Sequence, residues 1–267
     1  MKTPVNNAAY CALICSSVNE KIKKTRELQV NWLAGRLSME DASIASSGLA
    51  PGRPSRPELV SPRFLKPRKL HTPEGKAAFI HALTHIEFNA INLALDAVYR
   101  FSNMPREFYT DWLKVAVEEA HHFELLAERL NELGYRYGDF PAHGSLWEMA
   151  VKTETGVLER MAMVPRVYEA RGLDVTPGMI ERLQKMGDSR SADILVLILR
   201  DEIGHVAAGN RWYLWACEQA NQDPQQTFKD LIQEYRPGPV KGPFNYEARL
   251  QAGFTQEELK GLEQLEN

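Results

Sequence analysis

The sequence predicts an all-α fold with four long helices at its centre. Three observations carry this. Apolar residues recur at three- and four-residue intervals, while the alternation of a half-buried strand is almost absent. Proline and glycine cluster, leaving four long stretches between them. Several stretches begin or end on residues suited to a helix terminus.

Residues 6–35 carry helical periodicity in one or two segments, with Trp32 and Leu33 on an amphipathic surface helix. The preceding apolar run is short and its early charge is only Lys2, so it reads as the start of a helix rather than a signal peptide, and the chain as cytoplasmic. Cys11, Cys15 and Cys217 have no paired spacing and argue against a disulfide framework; Cys11 and Cys15 read as small core residues. Pro51, Pro54, Pro57, Pro62 and Pro67 then forbid regular helix and predict an extended arm.

The first long helix is expected from about Pro73 to Phe101, capped by Thr72, with Pro73 in the first turn and Glu74 at the positive end of the dipole. The second runs from about Pro105 to Leu133 and stops at Gly134. The third is expected from Ser145 to Arg171, stopping at Gly172, and the fourth from Ser189 to Asn221, before Pro224. A short helix near 177–187 falls between them. A Pro/Gly-rich stretch, RPGPVKGPFN, and a last short helix near 255–265 complete the chain. The resulting organisation is an N-terminal helical segment (1–50), the arm (51–71), a four-helix bundle (72–223) and a C-terminal extension (224–267). The Gly134–Gly144 connection has eleven residues. At about 3.3 Å per residue it can reach roughly 35 Å, the length a bundle crossover requires.

No apolar run is long enough to span a bilayer. The net charge of −3 gives no whole-chain argument for nucleic acid or an anionic membrane. No phosphate-binding glycine loop, Ser-His-Asp order or cysteine-based zinc pattern occurs.

Two segments carry chemistry. EEAHH at 118–122 offers Glu118 with His121, or Glu119 with His122. Trp112, Ala116, Phe123, Leu126 and Leu130 mark an apolar stripe on which Glu119 falls. Glu118 lies with Asp111, Lys114 and Arg129, and His121 with Lys114, Glu124 and Glu128. Glu119 therefore points inward, with His122 one turn along. DEIGH at 201–205 repeats the arrangement, on the stripe Ile194, Ile198, Glu202, His205, Gly209, Trp212. Asp201 is placed as an outer partner.

Burying an unpaired carboxylate is costly, and burying two on facing helices adds like-charge repulsion. A pair of cations resolves both problems, and an i, i+3 spacing lets Glu and His reach one ion from one helix. Composition alone produces roughly one chance Glu-x-x-His, so the weight lies in the context. On the first helix, Glu87 interrupts the stripe Ile80, Leu83, Ile91, Ala94, Val98. On the third, Glu154, Glu159 and Glu169 compete. Glu159 shares a face with Lys152 and Arg166 and reads as solvated; Glu154 and Glu169 both extend apolar stripes. Glu87 precedes Glu119 by 32 residues and Glu169 precedes Glu202 by 33, a match that favours Glu169 and leaves Glu154 as the alternative. Pro165 is expected to bend the third helix. His85 reads as an outer or surface residue, and His71, His81 and His143 as loop or surface positions. Arg166, Arg171, Arg200 and Arg211 offer a competing explanation, buried ion pairs without metal.

This pattern resembles the ferritin-like di-iron carboxylate superfamily. HTPEGKAAFIHALTHIEFNAINLALDAVYRF, VEEAHHFELLAERL, VPRVYEARGLDVTP and ILRDEIGHVAAGNRWY more closely resemble the bacterial family DUF455, from near Pro51 to about Phe254. The resemblance implies a ferritin-like bundle and a metal site of Glu87, Glu119, His122, Glu169, Glu202 and His205. It implies two metal ions, Fe/Fe or Mn/Fe, and O2 or peroxide chemistry on an unspecified small-molecule substrate with an electron donor. Metal sequestration without an organic substrate is the alternative. A homodimer is left open; membrane and nucleic-acid partners are not expected.

Overall fold

The computed structural model describes residues 2–39, 47–66, 68–236 and 241–264. The chain is all-α, as expected, and divides into two compact units, Met1–Val151 and Lys152–Asn267. The described strands are two-residue pieces, β1 (Thr3–Pro4) and β2 (Leu37–Ser38), paired in parallel. Among the described residues no helix is long and apolar enough to cross a membrane.

The first unit is built on a long antiparallel pair, α3 (Pro73–Arg100) and α4 (Arg106–Glu132). Thr72 caps α3 by accepting from the Gly75 N–H at 3.0 Å, with Pro73 at the first helical position. At the far end of α4, Gly134 adopts φ +82°, and the Tyr135 N–H returns to the Leu130 carbonyl, closing the helix with a left-handed residue that glycine takes without steric cost. Two shorter helices lie on this pair: α1 (Val5–Leu13) against α3, and α2 (Val18–Leu33) against α4. Asn6 Nδ2 donates to the Val98 carbonyl at 2.9 Å, and Trp32 Nε1 to Thr110 Oγ1 at 2.9 Å, fixing each contact. Ile80, Ile91, Leu95, Leu113, Leu126 and Trp32 are buried between them, each large apolar side chain contributing about 1.5–3 kcal/mol. Helix α5 (Ser145–Lys152) follows.

Cys11 is exposed and Cys15 half-buried, which corrects the core reading for both; Cys217 is buried. Helix α1 turns Val5, Ala9 and Ala12 inward, leaving Cys11 on the opposite face, and Cys15 lies beyond its end.

Among its described residues the arm is non-helical apart from one 3-10 turn at Pro62–Phe64, and it ends in a turn at Leu70–His71. Its backbone is anchored. The Gly52 N–H donates to the Leu13 carbonyl at 2.9 Å, Val60 N–H to the Ala142 carbonyl at 2.9 Å, and Ala142 N–H to the Glu58 carbonyl at 3.0 Å. Pro67 lies outside the described residues.

The second unit holds α6 (Val157–Met163), a π-turn (Val164–Glu169), α7 (Ala170–Lys185), α8 (Ser189–Gln219), α9 (Pro224–Tyr235), α10 (Tyr246–Gln251) and α11 (Gln256–Gln264). The expected third helix, Ser145 to Arg171, is therefore redrawn. It breaks at 153–156, where Gly156 is extended at φ −139°, and it resumes through Gly172 to Lys185. Proline 177 lacks the N–H that the Leu173 carbonyl needs, and Asn245 Nδ2 supplies it at 3.1 Å. Asp174 is held by Arg249 at 2.7 and 2.8 Å and by the Asn245 N–H at 2.9 Å. Residues 71 to 75 positions downstream thus override local helix breakers.

Two helices were not foreseen, α9 and α10. Pro224 reads as a terminator, yet it occupies the first turn of α9 behind an Asp223 cap (2.8 Å from the Gln226 N–H). The expected last helix is α11; residue 265 lies outside the described residues, as do 237–240 of the Pro/Gly stretch.

Lys21 is fully buried at the elbow between α1 and α2. Its ammonium donates to the Ala12 and Leu13 carbonyls at 3.0 and 2.5 Å, closing the negative end of α1. Burial lowers its pKa to about 7. The unfolded chain, with an ordinary lysine, therefore binds more protons between pH 7 and about 10.5, and stability must rise with pH across that window. Chemical denaturation at pH 7, 8, 9 and 10 should show an upward slope of up to about 1.4 kcal/mol per pH unit. Lys21→Met should remove that slope; an unchanged pH profile in the variant would contradict the assignment.

Candidate metal centre

Within the first unit, α3 and α4 bring Glu87, Glu119 and His122 together. Each of the three residues is at most 6% exposed. One ligand atom from each lies within 4.8 Å of the others. His122 Nδ1 is 3.3 Å from Glu119 Oε2 and 3.5 Å from Glu87 Oε2. The register follows the apolar stripe: Glu119 and His122 are buried, whereas His121 is exposed and Glu118 takes Lys114 at 2.8 Å on the outer face.

The electrostatics are those of a charge set in want of cations. Burial raises the Glu87 pKa well above the usual carboxylate range, and the Glu119 charge raises it further. Burial alone would lower His122. Hydrogen bonding to Glu119 and Glu87, with the charges of both, instead carries it up to about 11. In the absence of an ion, the proton that His122 keeps offsets part of the cluster's charge. A divalent cation would do the same more completely, since each donor is an oxygen or imidazole nitrogen that iron, manganese or zinc accepts.

The second unit repeats the motif on α8. His205 is fully buried and its Nδ1 stands 3.4 Å from Glu202 Oε1. Glu169 is half-buried at the end of the π-turn, which packs on α8. The seat is tight: a Cβ on Gly209 would come within 2.1 Å of Pro165 Cβ, so only glycine admits the π-turn this close to α8. Pro165 does distort its helix, into π geometry. Glu154, the alternative to Glu169, lies in the break between α5 and α6, on no helical stripe. Glu159 is half-buried rather than solvated.

Arg166 makes a buried ion pair of the kind the metal-free explanation invokes, with Glu258 rather than with a proposed ligand. Arg166 is enclosed by the rings of Tyr213, Phe228 and Phe254 and donates to Asn210 and, at 2.5 Å, to Glu258. Arg171 donates to the Lys241, Gly242 and Pro243 carbonyls. Arg200 pairs with Asp201 at 2.9 Å.

His81 and His85 are buried, against the surface reading. The Gly138 N–H donates to His81 Nε2 at 2.9 Å, and the Tyr137 hydroxyl is 2.8 Å from His85 Nδ1. Burial lowers both imidazoles to about 4 and raises the Tyr137 phenol. The Gly134–Gly144 connection thus lies across α3, with Tyr137 packed on Phe88 and Phe123. Sequence reasoning missed this pair because loop contacts have no period. The one available signal was the i, i+4 spacing of His81 and His85.

The sequence matches the model of a family described as "Protein of unknown function (DUF455)" over residues 14–260. It is 44% identical over 265 residues to an uncharacterized protein of Haemophilus influenzae, covering 96% of this chain and 92% of that one. No solved structure matches.

Binding of Mn2+ or Fe2+ to apo-protein should displace the proton on His122. Calorimetry in buffers of different ionisation enthalpy at pH 7 should find about one proton or more released per ion at this cluster, on the order expected for ligand deprotonation. A binding heat independent of buffer would count against the protonated cluster.

Proposed function

The chain belongs to the DUF455 family, whose description leaves the function open, and we propose that it is a dinuclear metal carboxylate protein that activates O2 or peroxide to oxidise a small molecule. Glu87, Glu119, His122, Glu169, Glu202 and His205 are its ligands, and the two ions are iron, as Fe/Fe or Mn/Fe. In this reading residues 72–223 are a ferritin-like bundle to which the other segments are added, and an electron donor completes the cycle in the cytoplasm.

One observation carries the reading: two carboxylates and an imidazole buried together on α3 and α4. Three donors fall short of what iron or manganese takes. The Glu202–His205 pair offers a second set of the same chemistry, with its Nδ1–Oε distance of 3.4 Å against 3.3 Å for the Glu119–His122 pair. The sequence interval from Glu169 to Glu202 matches that from Glu87 to Glu119 within one residue.

Two redox-active ions bound here supply electrons and open coordination positions for O2. The rest is supplied by the chain. The carboxylates neutralise ionic charge in a site from which their burial excludes water. His122 and His205 each turn Nδ1 toward the carboxylate on their own helix, so each would present a ring nitrogen beside a carboxylate oxygen to an ion held there. His122 would give up its proton to serve as a ligand.

Metal content is the first test, by mass spectrometry on protein purified without chelator or nickel resin. About two iron or manganese ions per chain are expected, with occupancy lost in Glu119→Ala combined with Glu202→Ala. Reductant-dependent O2 consumption beyond that of ferrous oxidation separates an oxidase from a sequestering protein. No metal, and none taken up from anaerobic ferrous ion, would overturn the reading. Full occupancy in Glu169→Ala with loss in Glu154→Ala would move the fourth carboxylate.

A further inference from the structure

The arm differs in charge from the rest of the chain. Residues 51–71 carry Arg53, Arg56, Arg63, Lys66, Arg68 and Lys69 against the single carboxylate of Glu58, a net +5 in a chain of net −3, so the remainder carries −8. All six cations are exposed. Arg68 pairs with Glu74 at 3.2 Å. Among the described residues the other five have no carboxylate partner. Elsewhere some exposed cations find one, as Arg26 takes Glu124, Lys114 takes Glu118 and Lys185 takes Glu181, while Lys23 and Lys24 on α2 do not. Five bare cations repel one another, and an external polyanion relieves that repulsion.

The arm is also held in shape. Its Gly52, Glu58 and Val60 backbone groups are bonded to Leu13 and Ala142, so the charges stand on an anchored ribbon rather than a loose tail. Phe64 is 63% exposed, and the Arg63 guanidinium lies 4.8 Å from its ring centroid.

We propose that this arm binds a single-stranded nucleic acid along its phosphate backbone. The cations are spread over 17 residues, from Arg53 to Lys69. At about 3.1 Å per residue that is a reach of up to roughly 50 Å, which suits a row of phosphates better than one compact anion. Phe64 offers a face on which any base stacks. An anionic bilayer fits less well, because basic residues alone hold a chain on it weakly and stable attachment adds an apolar helical face or a lipid anchor. The arm is non-helical apart from its short turn, and exposes few large apolar side chains, Leu59 and Phe64. The whole-chain charge conceals this segregation. The proposal does not depend on the metal reading.

The test is fluorescence anisotropy of the full chain with 20-nucleotide single-stranded RNA and DNA, from 50 to 200 mM salt. Five phosphate contacts predict a slope of log affinity against log salt of about −3.5. Arg63→Glu with Lys66→Glu and Lys69→Glu should weaken binding by about 100-fold at 50 mM salt without lowering Tm. Phe64→Ala should weaken it about fivefold or more, as loss of one stacked base does. Lys23→Glu with Lys24→Glu, on the exposed face of α2, should change neither. If charge reversal lowers Tm, Arg63→Gln with Lys66→Gln replaces it, with about a tenfold loss expected. Absence of oligonucleotide binding at 50 mM salt, binding indifferent to the arm variants, or preference for phosphatidylserine vesicles over both oligonucleotides would overturn the proposal.

Discussion

Charge burial at the interface of α3 and α4 sets the terms for the first unit. A carboxylate transferred into a protein interior without a partner is unstable by several kcal/mol. Here two such groups face one imidazole, on helices whose inward positions are mainly apolar, with His81, His85, Asn89, Asn92 and Asp96 also buried on α3. Burial and the neighbouring Glu119 charge raise Glu87, and the two carboxylates raise His122 against the effect of its own burial. Around them the helices cannot be arbitrary. Glu119 and His122 must share one face, and α3 must present Glu87 to that face. The two shorter helices then seal the outer sides of the pair.

The second unit solves a different problem, how to keep a helix continuous through residues that would break it. Gly172, Pro177 and Gly178 sit inside α7. The C-terminal residues compensate: Asn245 serves the carbonyl that Pro177 leaves, and Arg249 forks onto Asp174. Arg166 is fixed between aromatic rings and Glu258, at the π-turn that ends on Glu169. The C-terminal extension is therefore part of the unit's core, since Phe254 packs between Arg166 and Arg249.

Much of this was legible in the residues themselves. Apolar periodicity located α3, α4 and α8 within a residue or two at each end, because long helices must repeat their buried face every 3.6 residues. The same periodicity chose Glu119 and His122 over Glu118 and His121, since a carboxylate on an apolar stripe turns inward with it. Thr72 and Gly134 marked helix ends through capping chemistry that is local in the chain. The prolines marked the arm for the same reason: a missing N–H is a property of one residue.

What the sequence could not decide depended on partners far along the chain. The third helix ran on through Gly172 because Asn245 and Arg249 outweighed its breakers, and no window of neighbouring residues contains that information. His81 and His85 were buried by a loop whose register follows no period. Cys11 was exposed because α1 had only one face to bury. Local chemistry, periodicity and capping were determined by the sequence read alone. Burial by distant segments, and with it the protonation of buried groups, was decided by the tertiary structure, because desolvation depends on everything that surrounds a group in space.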